Sequence, residues 1–215
     1  MKRRIYLVRH AESASNAGGP LAGEKTPLTE RGFDQARFMA ARAAKLPLDA
    51  IISSSMLRAR QTAECIAEAT NKPIVATSDL FVERRHPSGQ LGLTEKHPET
   101  IRLEQFMNNN FGQENFRHSD EENFYDLRTR AQAALAYLTK LPYQNILVVT
   151  HGTFLNVLSL EIKFGDKLTS KKFEFYSRIL KPKNVDVSIY EYTKNGWRPL
   201  KKTSIRRLLV SFLIS

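Results

Sequence analysis

"YLVRHAESASN", Tyr6–Asn16, ends an apolar run that starts at Ile5 with an arginine and a histidine, then small residues, a carboxylate and an asparagine. The β-branched and aromatic content of "RIYLV" predicts a strand. Two side chains that carry or can take positive charge at its end admit two readings: the strand surfaces there, or something anionic binds there. A second strand-like run, "NILVVT" at 145–150, ends the same way, in His151-Gly152. Open α/β sheets bind ligands at the carboxyl ends of their strands. Two histidines delivered there, each followed by a small residue, Ala11 or Gly152, that lets backbone approach a ligand, favour the anion. "IISSSMLRARQTA" then supplies Arg58, just beyond a serine-rich strand end and in the first turn of a helix whose amides also attract anions.

Outward from these strands, helical and strand patterns alternate, which predicts an α/β fold with parallel strands. "TERGFDQARFMAARAAKL" reads as a helix opened by Thr29 and closed by Leu46-Pro47; "LDAIISSS" is a second strand. "MLRARQTAECIAEAT" is a second helix ended by Asn71-Lys72-Pro73, and "PIVATSDL" a short third strand. Residues 82–125 are polar, rich in Pro and Asn and weakly patterned, the mark of a long functional loop. "FYDLRTRAQAALAYLTKL" is a further helix, and "VDVSIYEYT" alternates as a late, half-buried strand, with Trp197 a packing anchor beside it. Neither repeats nor a low-complexity linker divide the chain, so one domain over 1–215 is expected, with a basic, apolar tail at about 200–215.

Composition narrows the function classes. With 215 residues and 41% hydrophobic content the chain can bury a full core. The apolar part of "MKRRIYLVRHAES" is too short for a signal peptide, and no run approaches the ~20 apolar residues of a membrane span. Cys65 is the one cysteine, which excludes an intrachain disulfide and fits a reducing cytoplasm; its mid-helix place makes it a packed thiol rather than a nucleophile. Residues 162–215 hold 13 Lys and Arg against 4 Asp and Glu, so +9 of the net +11 lies away from the Arg-His motif. No helix-turn-helix, zinc-finger, RNP or KH pattern accompanies that charge, which reads as a solvated basic face rather than a nucleic-acid site. Closely spaced metal-ligand motifs are lacking, and Gly18-Gly19-Pro20 lacks the Lys and Ser/Thr of a P-loop, reading instead as a mobile loop over the site.

Five segments, "LVRHAES..N", "PLTERGFDQA", "IISSSMLRARQTA", "VERRHPSGQLG" and "ILVVTHGTFLNVL", together resemble the histidine phosphatase superfamily, the phosphoglycerate-mutase-like enzymes. They stand in the family's order across most of residues 5–192. The resemblance implies a three-layer sandwich with a mainly parallel central sheet, helices on both faces, and catalysis with neither metal nor cofactor. It implies His10 as the nucleophile that becomes phosphohistidine. Arg9, Arg58 and an imidazolium at His151 would form the phosphate pocket, with Asn16 as a further phosphoryl contact and Glu83 as the general acid. Substrate contacts are also expected from Arg84 and Ser88, with His86, on the leaving-group side, and from Gly152 and Thr153. Glu12 is expected to orient the Arg-His turn, and His97 and His118 to lie at the surface.

The sequence departs from the family pattern in three places. Ala11 stands where the signature most often has glycine, and "FVERRHPSGQLG" lacks the longer pattern that mutases use on phosphoglycerates, which favours a phosphatase, a phosphoric monoester hydrolase. The end, "WRPLKKTSIRRLLVSFLIS", puts Ile205, Leu208, Leu209, Phe212 and Leu213 on one helical stripe beside Arg206 and Arg207. Docking on its own domain is the default for this tail, with contact to a membrane surface or a partner the alternative. The rival functions are a mutase, a metal-dependent hydrolase and a phosphate-binding non-enzyme. Phosphorylated small molecules lead the substrate classes, ahead of phosphoprotein; nothing in the sequence indicates an oligomeric state.

Overall fold

A computed structural model describes residues 2–21, 23–94 and 96–203. Its elements run β1 (Arg3–Arg9), α1 (Glu30–Ala43), β2 (Ala50–Ser54), α2 (Leu57–Thr70), β3 (Ile74–Ser78), α3 (Pro98–Asn110), α4 (Phe124–Lys140), β4 (Asn145–Thr150), α5 (Gly152–Phe164), α6 (Ser170–Ile179), β5 (Val187–Thr193) and β6 (Gly196–Thr203). Among the described residues the strands form a sheet in the order β3-β2-β4-β1-β5-β6. The first four are mutually parallel, while β5 and β6 add on antiparallel, so the expected mainly parallel α/β sheet is present.

Side-chain alternation along the strands builds two cores. Tyr6, Val8, Ile51, Leu147 and Val149 face one way, onto the alanine-rich inner faces of α1 and α2 (Ala36, Ala40, Ala59, Ala63). Ile5, Leu7, Ile52, Ile146 and Val148 face the other way, onto α4 and α5 through Leu127, Ala131, Leu138 and Phe154. Period-two strands covered on both faces read as continuous apolar runs, which is why "NILVVT" looked so uniformly apolar. Thr29 caps α1 as the sequence predicted, its hydroxyl accepting from Gly32 N–H at 3.0 Å, and Asn71 ends α2 in the left-handed conformation at φ 50°.

Two elements depart from the sequence reading. The segment 82–125 is not wholly irregular, because α3 occupies Pro98–Asn110 with Pro at its start and Thr100, Leu103 and Met107 buried. Residues 200–203, the start of the expected tail, belong to β6, and Trp197 packs on Tyr192 across the β5–β6 pair at 5.0 Å. Glu95 and the apolar stripe at 204–215 lie outside the described residues. No helix among the described residues is long and apolar enough to cross a membrane.

Two backbone positions bring loops against the end of β1. Gly32 lets α1 touch the turn after His10: a Cβ there would lie 2.0 Å from the Glu12 carbonyl oxygen. Val185 adopts a left-handed φ of 56° while its side chain is buried beside α1 and α2; its N–H donates to the Arg9 carbonyl at 3.0 Å. Such a φ is a strained choice for a β-branched residue. Gly32→Ala should lower unfolding free energy by about 1–3 kcal/mol or more, through overpacking. Gly89→Ala, which adds a carbon into open space, should stay within roughly 0.5 kcal/mol of the parent. Urea melts of the two variants check the contrast.

Candidate active site

The parallel register of β1 and β4 sets Arg9 opposite Thr150, so His10 and His151 leave neighbouring strands side by side, ring centroids 4.9 Å apart and tilted by 58°. β2, on the far side of β4, adds Ser54 and, one turn later, Arg58. His10 is 3% exposed. Its Nδ1 lies 2.6 Å from the Ala11 carbonyl, which can only accept, so the ring proton belongs on Nδ1 and Nε2 is left with its lone pair. Arg58 Nε donates to that Nε2 at 3.3 Å. Burial, reinforced by Arg58, holds the His10 pKa well below the ordinary value of 6.5.

His151 is fully buried, with Nε2 2.8 Å from Ser54 Oγ and Nδ1 without a protein partner. Burial and the nearby His10, Arg58, Arg130 and Arg9 push its pKa well below 6.5. Without an anion beside it, desolvation and like charge therefore favour the neutral ring of His151. Fixed cationic charge comes from the guanidiniums. Arg58 is 4% exposed and donates to the Gly23 carbonyl at 3.1 Å and to the Met56 sulfur at 3.0 Å. Arg9 donates to Pro182 O at 2.7 Å and leaves its Nε unpaired. Burial lowers both arginine pKa values, with Glu83 opposing the shift in each.

Glu83 reaches the same place from the loop after β3. One carboxylate oxygen accepts from the N–H groups of Arg84 and Phe154 at 2.9 and 3.0 Å, the other from Thr153 N–H at 3.1 Å. The carboxyl group thus meets free amides of the first turn of α5, which fix its orientation. Gly152 lies close against Arg9: a Cβ there would meet Arg9 Nε at 3.4 Å. Ala11 is likewise buried, with its N–H donating to Thr62 Oγ1 at 3.1 Å.

A cavity of about 330 Å³ opens over Arg9, His10, Asn16, Arg58, Glu83, Arg84, His86 and Ser88. The structure thereby brings together most of the sequence-predicted site, while Gly152 and Thr153 stand behind it. Asn16 Oδ1 accepts from Ser13 and from Asn184 Nδ2, the latter at 3.2 Å. Arg84 stacks on Phe111 at 4.1 Å and donates to Glu122 O at 3.2 Å. Ser88 holds Asp120 through its N–H at 3.0 Å, and half-buried His86 has an unpartnered Nδ1. Glu12 accepts from the Thr29 hydroxyl at 3.0 Å, bracing the turn; His97 and His118 are exposed. Sequence reasoning missed Ser54, Asn184, which donates to the His10 carbonyl at 3.0 Å, and the Glu122–Arg130 pair beneath Glu83. The serine-rich end of β2 was a signal for the first; the others are distant in sequence and carry no local pattern. Among the described residues no cluster of three His, Cys, Asp or Glu side chains offers a metal-ligand set.

The arrangement can grip a tetrahedral dianion between two guanidiniums, with a nucleophilic nitrogen on one side and a carboxyl group on the other. The two depressed histidines also couple the fold to pH. Above pH 6.5 neither state takes up a proton on them; as pH falls below it the unfolded chain protonates first, and stability drops toward the folded pKa values. Melting temperature should therefore decline with acidity from about pH 6.5 downward. His151→Asn should flatten that decline, as calorimetry across the range would register.

The model of the "Histidine phosphatase superfamily (branch 1)" matches residues 5–204. A protein of Enterobacter sp. (strain 638) carrying the name "Probable phosphoglycerate mutase GpmB" is 32% identical over 203 residues, 90% of this chain and 87% of the relative. Among solved structures, the alpha-ribazole phosphatase from Shigella flexneri superposes with a TM-score of 0.73 at 22% identity, covering 94% of this chain and 96% of that one. A mycobacterial glucosyl-3-phosphoglycerate phosphatase gives 0.71 at 22% identity, covering 95% and 100%. These two likenesses concern the fold; with the family match and the 32% identity, the chain belongs to branch 1 of the histidine phosphatase superfamily.

Proposed function

We propose that the chain is a metal-independent phosphomonoesterase that works through a phosphohistidine on His10. The observation that carries this is the tautomer of His10: Nδ1–H is committed to the Ala11 carbonyl, leaving a neutral Nε2 lone pair beside the Arg58 fork. In this reading Nε2 attacks phosphorus while Arg9 and Arg58 hold the non-bridging oxygens, with the His151 ring set against that of His10. The bond to Ala11 steadies the charge the imidazole gains as Nε2–P forms. The P–O bond to the leaving group breaks, and Glu83 gives that oxygen its proton. The resulting carboxylate then takes a proton from water, which attacks the phosphohistidine, releases phosphate and restores Nε2.

A pocket of about 330 Å³ supports a small phosphorylated molecule over a phosphoprotein as the substrate. Arg84, His86 and Ser88 would face its leaving group, and Asn16 its phosphoryl end. The name of the Enterobacter relative favours a second reading, a mutase that returns the phosphoryl group to another substrate hydroxyl instead of water.

Incubation with radiolabelled phosphomonoesters should yield an acid-labile, base-stable phosphoenzyme, absent from His10→Ala. A label retained on His151 in that variant would overturn the assignment, and transfer to an added phosphoglycerate instead of phosphate release would establish the mutase. Glu83→Gln should slow phosphorylation of His10 by alkyl phosphates ~10²–10⁴-fold, the range of general acid catalysis, and by nitrophenyl phosphate far less. Burst kinetics isolates that step; equal losses on both substrates would remove Glu83 from the role.

A further inference from the structure

Glu83 lies on a loop, yet a general acid needs the fixed placement usual for helices and strands. Arg130, on the inner face of α4, spans that loop with its whole guanidinium. Nη1 donates to Val82 O at 2.8 Å and Leu80 O at 3.3 Å, and Nη2 to Glu83 O at 3.2 Å. Nε and Nη2 also form a two-pronged pair with the Glu122 carboxylate at 2.7 and 2.6 Å. Glu122 in turn accepts from Arg85 N–H at 3.0 Å and from Arg85 Nη1 at 3.2 Å. The backbone is thus held on Glu83 itself, on Val82 before it and on Arg85 two residues after it.

The same guanidinium lies over the Phe154 ring at 4.1 Å, and Phe154 N–H is one of the donors to the Glu83 carboxylate. One side chain therefore supports both the backbone that carries Glu83 and the helix turn that orients its carboxyl group. Only the planar fork of arginine supplies this many directed donors; lysine would keep the charge and lose the geometry.

We propose that Arg130, oriented by Glu122, is a positioning residue for Glu83, an inference that rests on the reading of Glu83 as the proton donor. A buried ion pair is weak evidence for a stabilising role, since apolar residues of like volume often serve as well. The geometry here serves proton transfer, whose rate falls steeply when the donor is misplaced.

The test compares Arg130→Lys, Glu83→Gln and the double variant, following phosphorylation of His10 in the burst phase with glycerol phosphate and with nitrophenyl phosphate. Arg130→Lys should slow the glycerol phosphate reaction on the order of 10²-fold, as a displacement near 1 Å does, and largely spare the nitrophenyl ester. In the Glu83→Gln background it should change the glycerol phosphate rate by less than about twofold, because the two residues act as one unit. Equal slowing of both esters by Arg130→Lys, or additive losses in the double variant, would overturn the proposal while leaving Glu83's role intact. Equal slowing of both esters by Glu83→Gln alone would overturn the reading of Glu83 and the role of Arg130 with it. If Arg130→Lys does not fold, Glu122→Gln, which keeps an acceptor for the guanidinium, is carried through the same comparison with the same outcomes deciding.

Discussion

The in-register parallel pairing of β1 with β4 is the constraint from which the site follows. A slip of one residue would exchange the two faces of a strand, sending Ile5 and Leu7 toward the helices that receive Tyr6 and Val8. With both faces buried, that exchange is costly in either direction, so the apolar contents of the two cores lock the register. The locked register then fixes Arg9 against Thr150 and makes the two histidines neighbours. Thr150 also carries the loop of Glu83, since its hydroxyl donates to Phe81 O at 2.7 Å. Parallel strands need crossover connections, and these supply the helices on both faces.

The charge of the site is divided between groups that cannot lose it and groups that do not yet have it. Arg9 and Arg58 stay cationic although burial works against them, whereas His10 and His151, in the same field, are held neutral. Guanidinium resists deprotonation so strongly that desolvation does not discharge it; imidazole, titrating close to neutrality, gives up its proton first. Two anchors of permanent charge beside two rings of adjustable charge suit a phosphoryl group, whose oxygens bring the negative charge that would let a ring take a proton.

The strand ends were legible in the sequence because strands of this kind announce themselves by composition, and an Arg-His after four apolar residues has few structural explanations. His10, Arg58 and His151 were found in this way, and Thr29 through its capping pattern. α3 escaped because Ile101 and Phe106 are exposed on it, which blurs the period set by Thr100, Leu103 and Met107. β6 escaped because Pro199 argues against a strand, a rule that relaxes at the sheet edge, where this strand lies. Arg130 and Glu122 face Glu83 across some forty residues of chain, and such pairing has no signature short of the fold. The neutral state of His151 is a property of burial, and no neighbour in sequence reports it.

Val185 shows where the demands of backbone and core part company. Its left-handed conformation lets the loop before β5 reach back to the Arg9 carbonyl, at a cost of about 1–3 kcal/mol for a non-glycine residue held in that region. Glycine or asparagine would suit the turn better, but each would surrender apolar volume now packed beside Tyr6, Val8 and Val187. Evolutionary drift at this position is therefore tied to the girth of those neighbours. A descendant that relaxes the turn has to grow the core elsewhere, so divergence at 185 should travel with compensating changes on β1 and β5 rather than alone.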